Sequence, residues 1–331
     1  MKTAKFWHGI TGDKVECDLC PHHCKLMDGK TGLCKVRTCR GGKLYADGYG
    51  LISSAGIDPI EKKPLYHFAP GEKIFSFGGW GCNLGCEFCQ NWNISQSVEI
   101  TLGETHPTQV VARALEAGSV GIAYTYNEPL IGIEFVEDCA RLARDKNLAN
   151  VLVTNGYVEH EPARDILPMI DALNIDIKSM DDAFYRRWCK SQLAPVLAFA
   201  KQAFDSGCHV EITNLIIPTL NDDGIVVERL AEWISKNMGR LVPLHLSAYR
   251  PQYKMCLNAT PLESLERAYD ICRKHLDYVY LGNVWSEIGQ DTVCPLCGAV
   301  LISRQGYSVN ITGADKGYCN NCRRKVDIIF R

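Results

Sequence analysis

Cys82, Cys86 and Cys89 are spaced x3 and x2, close enough for three thiolates to hold three corners of one four-iron cluster. Iron–sulfur clusters are ordinarily held by four cysteines. A compact set of three leaves the fourth iron for something other than protein sulfur, and a substrate is the natural candidate. The competing reading is a structural zinc loop, because cysteine pairs two residues apart also serve zinc. Zinc in such a site takes four ligands, and the following Gln90, Asn91 and Trp92 offer no obvious fourth.

Two further cysteine sets point to metals. Cys17, Cys20, Cys24 and Cys34 fall within eighteen residues. Zinc and a second iron–sulfur cluster both suit a sulfur-rich tetrahedral set, and a structural metal is the simpler expectation. Cys294-x2-Cys297 and Cys319-x2-Cys322 are two knuckles twenty-one residues apart, the pattern of a zinc-ribbon or rubredoxin-like site. Its closed thiolate set predicts a structural role. Of the remaining cysteines, Cys189 and Cys256 lie past predicted strands and are candidate hydrogen-atom donors, though a free cysteine is more often a small buried hydrophobe. Cys139, Cys208 and Cys272 are assigned to packing.

The elements that must position these residues alternate between strand and helix patterns. The apolar run Lys73–Gly78 reads as a strand leading into the three-cysteine loop. Val110, Val111, Ala114 and Leu115 then recur at helical spacing between Pro107 and Gly118. Further strands are predicted over 120–126, 150–153, 172–177, 209–217, 242–247 and 278–281, separated by helices over 130–145, 162–170, 195–205, 224–237 and 262–275. Successive strand–helix units predict a parallel sheet with right-handed crossovers, closed as a partial (β/α)6 TIM-like barrel. Three regions follow: a cysteine-rich metal-binding region over 1–70, the α/β barrel over 71–288 and the ribbon-like module over 289–331.

The chain has 331 residues, 46% of them hydrophobic, with 36 Lys+Arg against 38 Asp+Glu. That balance provides no global field for nucleic acid or a membrane surface. Residues 1–43 carry nine basic against four acidic residues and 316–331 five against one, local excesses that are more often solvated faces than docking sites. A zinc-ribbon nucleic-acid binder is the opposing functional class, with residues 316–331 as its best support. No apolar run approaches a membrane span, and the polar residues 1–12 lack a signal-peptide core. Seventeen cysteines without an export signal favour metals in a reduced cytoplasm over disulfides.

The loop from Cys82 to Cys89, with Phe88 in its aromatic slot, resembles the signature of radical S-adenosylmethionine (SAM) enzymes. The resemblance implies a 4Fe-4S cluster whose open iron is chelated by SAM, and reductive cleavage to a 5'-deoxyadenosyl radical that abstracts hydrogen. In that family a Gly-Gly-Glu-Pro-like segment grips the SAM amino group; here Tyr126-Asn127-Glu128-Pro129 stands at that place, with Tyr126 and Asn127 replacing the glycines. Thr154-Asn155-Gly156 and Asp176-Ile177-Lys178 are similar to segments of pyruvate formate-lyase activating enzymes, which implies that Thr154, Asn155, Asp176 and Lys178 line the SAM site. Asp176 and Lys178 share one strand face and either engage SAM or pair with each other. Val153 replaces an aspartate that binds a monovalent cation in the activating enzymes, so that ion is not expected. The runs Cys17–Cys24, Asp58–Phe68, Gly81–Leu84 and Cys89–Trp92, with the terminal ribbon, resemble the radical SAM member of the AmmeMemoRadiSam system. That resemblance implies Memo-like and AMMECR-like companions, and an electron donor such as flavodoxin or ferredoxin. Glycyl radical enzyme activation is the narrower alternative. His245, in the polar aromatic segment 245–253, is expected to be a packed histidine rather than a base.

Overall fold

The computed structural model describes residues 1–97 and 102–331. Its centre is one open sheet of eight strands: β1 (Ser54–Pro59), β2 (Lys73–Gly78), β3 (Gly121–Tyr124), β4 (Ala149–Thr154), β5 (Ala172–Asp176), β6 (His209–Ile216), β7 (Leu244–Ala248) and β8 (Val279–Gly282). Spatial order follows sequence order from β1 to β8. Strands β2 to β8 are all parallel. Only β1 runs antiparallel, with Ser54 opposite Gly78 and Pro59 opposite Lys73.

Six helices form the crossovers: α1 (Pro107–Glu116), α2 (Ile133–Arg144), α3 (His160–Ile166), α4 (Leu193–Asp205), α5 (Gly224–Asn237) and α6 (Leu262–Arg273). The local sequence explains their limits. Pro107 opens α1 behind a capping box, in which Gln109 accepts from the His106 amide while the His106 ring accepts from the Thr108 amide. In α2, Ile133, Val136, Cys139, Ala140 and Ala143 fall on one stripe and are buried. Strand β4 is almost wholly buried, as parallel strands covered on both faces must be. The expected α/β architecture with a mostly parallel sheet is therefore present, and β1 is an addition. Cys139, Cys208 and Cys272 are all buried in the core.

Segment 60–68, which follows β1, closes the sheet at the amino ends of its strands. The amides of Tyr66 and His67 both donate to the Glu211 carboxylate on β6, and Asn174 Nδ2 on β5 donates to the Pro64 carbonyl. Glu211 also accepts from His209 Nε2 at 2.9 Å and His245 Nε2 at 2.7 Å. Burial alone would raise this carboxyl, but the two imidazoles hold it well below the usual range. His245 is thus a packed histidine with a structural partner.

The carboxyl-terminal module locks onto this floor. Burial keeps His67 neutral, with its pKa lowered to about 3. Its Nδ1 donates to the Asp327 carbonyl, its Nε2 accepts from the Tyr280 hydroxyl, and Tyr280 in turn meets the Thr292 hydroxyl. Arg304 donates to Thr292 Oγ1 and to the Tyr66 carbonyl, and Ile329 pairs through its backbone with His67 and Ala69. Within the module, an antiparallel sheet of 292–293, 300–305 and 308–311 carries the first cysteine knuckle, and a separate hairpin of 314–315 and 318–319 carries the second. Among the described residues, no helix is long and apolar enough to cross a membrane.

Glu211→Ala leaves two imidazoles and two amides without an acceptor in a dry floor. The expected cost is about 3–5 kcal/mol, read as a large fall in the thermal-melting midpoint. A loss below about 1 kcal/mol, the scale of an exposed pair, would contradict this role.

Candidate active site

Because β2 to β8 are parallel, the loops after them gather at one edge, where α/β proteins place their chemistry. The loop after β2 carries Cys82, Cys86 and Cys89. It is gripped from two sides: Gly85 and Glu87 donate their amides to the Cys189 and Trp188 carbonyls, and the Lys254 amide donates to Glu87 O. Phe88 is buried against Phe184, with ring centroids 5.8 Å apart, and Trp92 stacks on Tyr253. Phe88 therefore anchors the loop from below.

The thiols are supplied with donors. Cys82 Sγ accepts from the Leu84 amide at 3.4 Å and from Asn155 Nδ2 at 3.6 Å. Ser95 Oγ lies 3.2 Å from Cys89 Sγ. Cys86 meets the buried thiol of Cys189, and that contact together with burial pushes its pKa well up. Metal binding must therefore release protons here. The four carboxyl-terminal sulfurs all lie within 4.8 Å of one another, close enough for one tetrahedral ion. Three thiols alone leave a metal site one protein ligand short of the usual four. Cys189 beside Cys86 was visible in the sequence only as a lone cysteine past a strand. Cys256 is exposed.

The next two loops are tied to each other by Glu128. This buried carboxylate accepts from the Leu130 amide at 3.0 Å, Thr154 Oγ1 at 2.8 Å and the Asn155 amide at 2.8 Å. Burial raises its pKa to about 7, against the lowering effect of those three donors. It caps the turn at Pro129; Oε1 takes two of these donors and Oε2 one, which leaves one lone pair on Oε2. Asn155 continues the chain, with Nδ2 donating to Asn83 Oδ1 at 3.0 Å as well as reaching Cys82. Asn127 accepts from the Gly79 amide and donates to the Gly81 carbonyl, so it holds the entry to the cysteine loop. Tyr126 occupies the left-handed region at φ 71°, a backbone conformation that favours glycine. Its carbonyl accepts from Asn91 Nδ2 at 2.7 Å and its hydroxyl donates to Asp58 at 2.6 Å, bonds that offset the strain of that backbone.

Asp176, the last residue of β5, and Lys178 just past it pair at 3.0 Å. Burial would lower the Lys178 ammonium, but Asp176 and then the thiols of Cys86 and Cys189 hold it well above its ordinary value. Both residues are only partly buried, so this ion pair is a charged group open beside the thiols.

The sequence signature of the Radical SAM superfamily matches residues 79–232, the span that holds all of these loops up to α5. An uncharacterized Methanocaldococcus jannaschii protein is 42% identical over the full length of both chains. The chain belongs to the radical SAM superfamily. The pyruvate formate-lyase 1-activating enzyme of Escherichia coli is 27% identical over 54% of this chain and 75% of its own. The fold is also that of a Sphaerobacter thermophilus radical SAM methyltransferase, with a TM-score of 0.52 over 70% of this chain and 71% of that one, at 17% identity. Superfamily membership makes this radical SAM protein an enzyme that uses SAM and an iron–sulfur cluster.

Glu128 provides a pH-dependent test. Its folded pKa is raised, so the stability it contributes is complete below about 4.5 and is lost as pH rises towards about 7. Glu128→Gln removes this term. Melting the metal-free proteins should show the wild type losing about 3 kcal/mol relative to the variant between pH 4.5 and pH 8. Parallel pH profiles would contradict a buried, nearly neutral Glu128.

Proposed function

We propose that the chain abstracts a hydrogen atom from a small-molecule or protein substrate, with Cys82, Cys86 and Cys89 holding a 4Fe-4S cluster and SAM on its open iron. When bound, cluster and SAM together supply a 5'-deoxyadenosyl radical by reductive cleavage of the sulfonium. The observation that carries the reading is the three-thiol set, supplied with N–H and O–H donors at the carboxyl edge of a parallel sheet.

In this reading the remaining residues divide by what their polar atoms already do. Tyr126, Asn127, Glu128, Thr154 and Asn155 are positioning residues, because their side chains are engaged with one another, with the cysteine loop or, for Tyr126, with Asp58. Asp176 and Lys178 contact the ligand: a carboxylate suits ribose hydroxyls or an amine, and an ammonium suits a carboxylate. Lys178 also faces the negative charge of the thiolates. Phe88 and the Trp92–Tyr253 stack exclude water from one side of the loop.

The reading includes a low-potential electron donor such as flavodoxin or ferredoxin, a cytoplasmic setting and zinc in the carboxyl-terminal site, where sulfur pairs lie 3.6 and 3.7 Å apart. Membership of the AmmeMemoRadiSam system, with Memo-like and AMMECR-like companions, is supported by the motifs that run the length of the chain. Activation of a glycyl radical enzyme is a narrower version, supported by the similarity to the Escherichia coli activating enzyme. It predicts a glycyl radical signal on a partner polypeptide.

Anaerobically reconstituted protein with dithionite and SAM should release 5'-deoxyadenosine, and the Cys82/Cys86/Cys89→Ala triple variant should release none. Lys178→Met should weaken SAM binding about tenfold, roughly 1.4 kcal/mol, with the cluster retained. Equal product from the triple variant, or unchanged SAM affinity in Lys178→Met, would overturn the corresponding assignment.

A further inference from the structure

Among the described residues outside the cysteine sites, one group of ligating side chains converges on a point. It lies on the amino-terminal sheet formed by Trp7–Ile10, Lys14–Cys17 and Lys25–Leu26. Side chains alternate along a strand, so Val15 and Cys17 turn inward while Glu16, between them, turns outward. Cys17 lines an inner cavity with Cys20, Cys24 and Cys34. On the outer face, His8 and Lys25 stand opposite Glu16 on its two neighbouring strands. Asp18 follows the same strand and His23 precedes Cys24. One ligand atom from each of Glu16, Asp18 and His23 lies within 4.8 Å of the other two.

An ordinary patch of surface charge would not hold the second polar atom of every member, and this group does. His23 Nε2 lies 3.0 Å from Glu159 Oε1, just ahead of α3. A carboxylate only accepts, so Nε2 carries the proton and the neutral ring presents Nδ1 as a lone pair. Asp18 Oδ2 accepts from His8 Nδ1 at 2.8 Å, and Glu16 Oε2 faces Lys25 Nζ at 3.6 Å. The three remaining atoms face one another: His23 Nδ1 is 3.8 Å from Asp18 Oδ1 and 3.9 Å from Glu16 Oε1. Those separations are too long for hydrogen bonds, and lone pairs that face lone pairs repel. A cation among them turns the repulsion into attraction. Two atoms that share an ion at about 2.1 Å stand at most about 4.2 Å apart, and both separations meet that limit. A histidine whose far nitrogen donates to a carboxylate is, moreover, the arrangement that orients an imidazole towards a metal.

We infer that Glu16, Asp18 and His23 bind a divalent first-row cation, with water completing its shell and Glu159 orienting the imidazole. One nitrogen and two carboxylate oxygens suit the range from manganese to zinc and not a soft, thiophilic ion such as Cu(I). The position gives the ion a use. The Glu159 amide also donates to the Leu19 carbonyl, so the ion ties the amino-terminal sheet to the segment after β4, whose Asn155 reaches Cys82. The site shares no residue with the proposed SAM chemistry and does not rest on it.

Manganese(II) is the probe, because it prefers oxygen and nitrogen to sulfur and leaves the thiol sites alone. Titrating MnCl2 into the cluster-reconstituted protein should remove the six-line resonance of aqueous Mn2+ up to about one ion per chain. The bound ion should show electron spin-echo modulation from imidazole 14N. Glu16→Gln/His23→Gln should abolish both signs of binding, while Glu159→Gln should weaken affinity about tenfold and keep the modulation. An aqueous signal undiminished at millimolar Mn2+, or a bound ion without 14N modulation, would overturn the inference, and these two wild-type readings decide the matter even where a variant fails to fold. Unchanged binding in the double variant would overturn it as well.

Discussion

The buried carboxylate of Glu128 is the constraint on which the site depends. It has no solvent to charge against, so it is satisfied only while the amides of Leu130 and Asn155 and the hydroxyl of Thr154 stay in place. That requirement fixes the loop after β3 to the loop after β4. Asn155, held through its backbone by Glu128, then uses its side chain to reach Asn83 and Cys82. The position of one cluster-loop thiol is set by hydrogen bonds that begin two strands away. A buried polar network of this kind is stable only when complete, so the geometry at Cys82 and the folding of the sheet edge are coupled.

The opposite end of the sheet solves a different problem. An open sheet exposes the amino ends of its strands, and segment 60–68 covers them by donating two amides to Glu211 while the carboxyl-terminal module presses Arg304 and Asp327 against the same residues. Closure at the floor leaves the carboxyl edge as the place where ligands meet the sheet. Lys63, buried beneath Tyr126, shares the Asp58 carboxylate with the Tyr126 hydroxyl, so floor and edge are joined through one acid.

Much of this was legible in the sequence because it is local. The cysteine spacings, the seven parallel strands and the six helices depend on short-range pattern, and the Cys294/Cys297/Cys319/Cys322 knuckles are self-contained turns. What escaped depends on distant partners. Ser54–Pro59 holds a glycine and ends in proline, so nothing in it announces an edge strand. The contact of Cys189 with Cys86 arises because residues 185–189 form a π-helical turn that carries its thiol to the loop. Glu128 and the Asp176–Lys178 pair were identifiable as site residues. Which of them remains free for a ligand depends on donors from 27 residues away, and pattern does not report that.

The most direct test of the account is electron–nuclear double resonance on the reduced protein with SAM carrying 15N at its amino group and 17O at its carboxylate. The account predicts hyperfine couplings to both nuclei, the mark of SAM bound through these groups to an iron that has no cysteine. A reduced cluster with SAM bound to the protein but no coupling to either nucleus would contradict it, and would mean that the fourth corner belongs to another ligand.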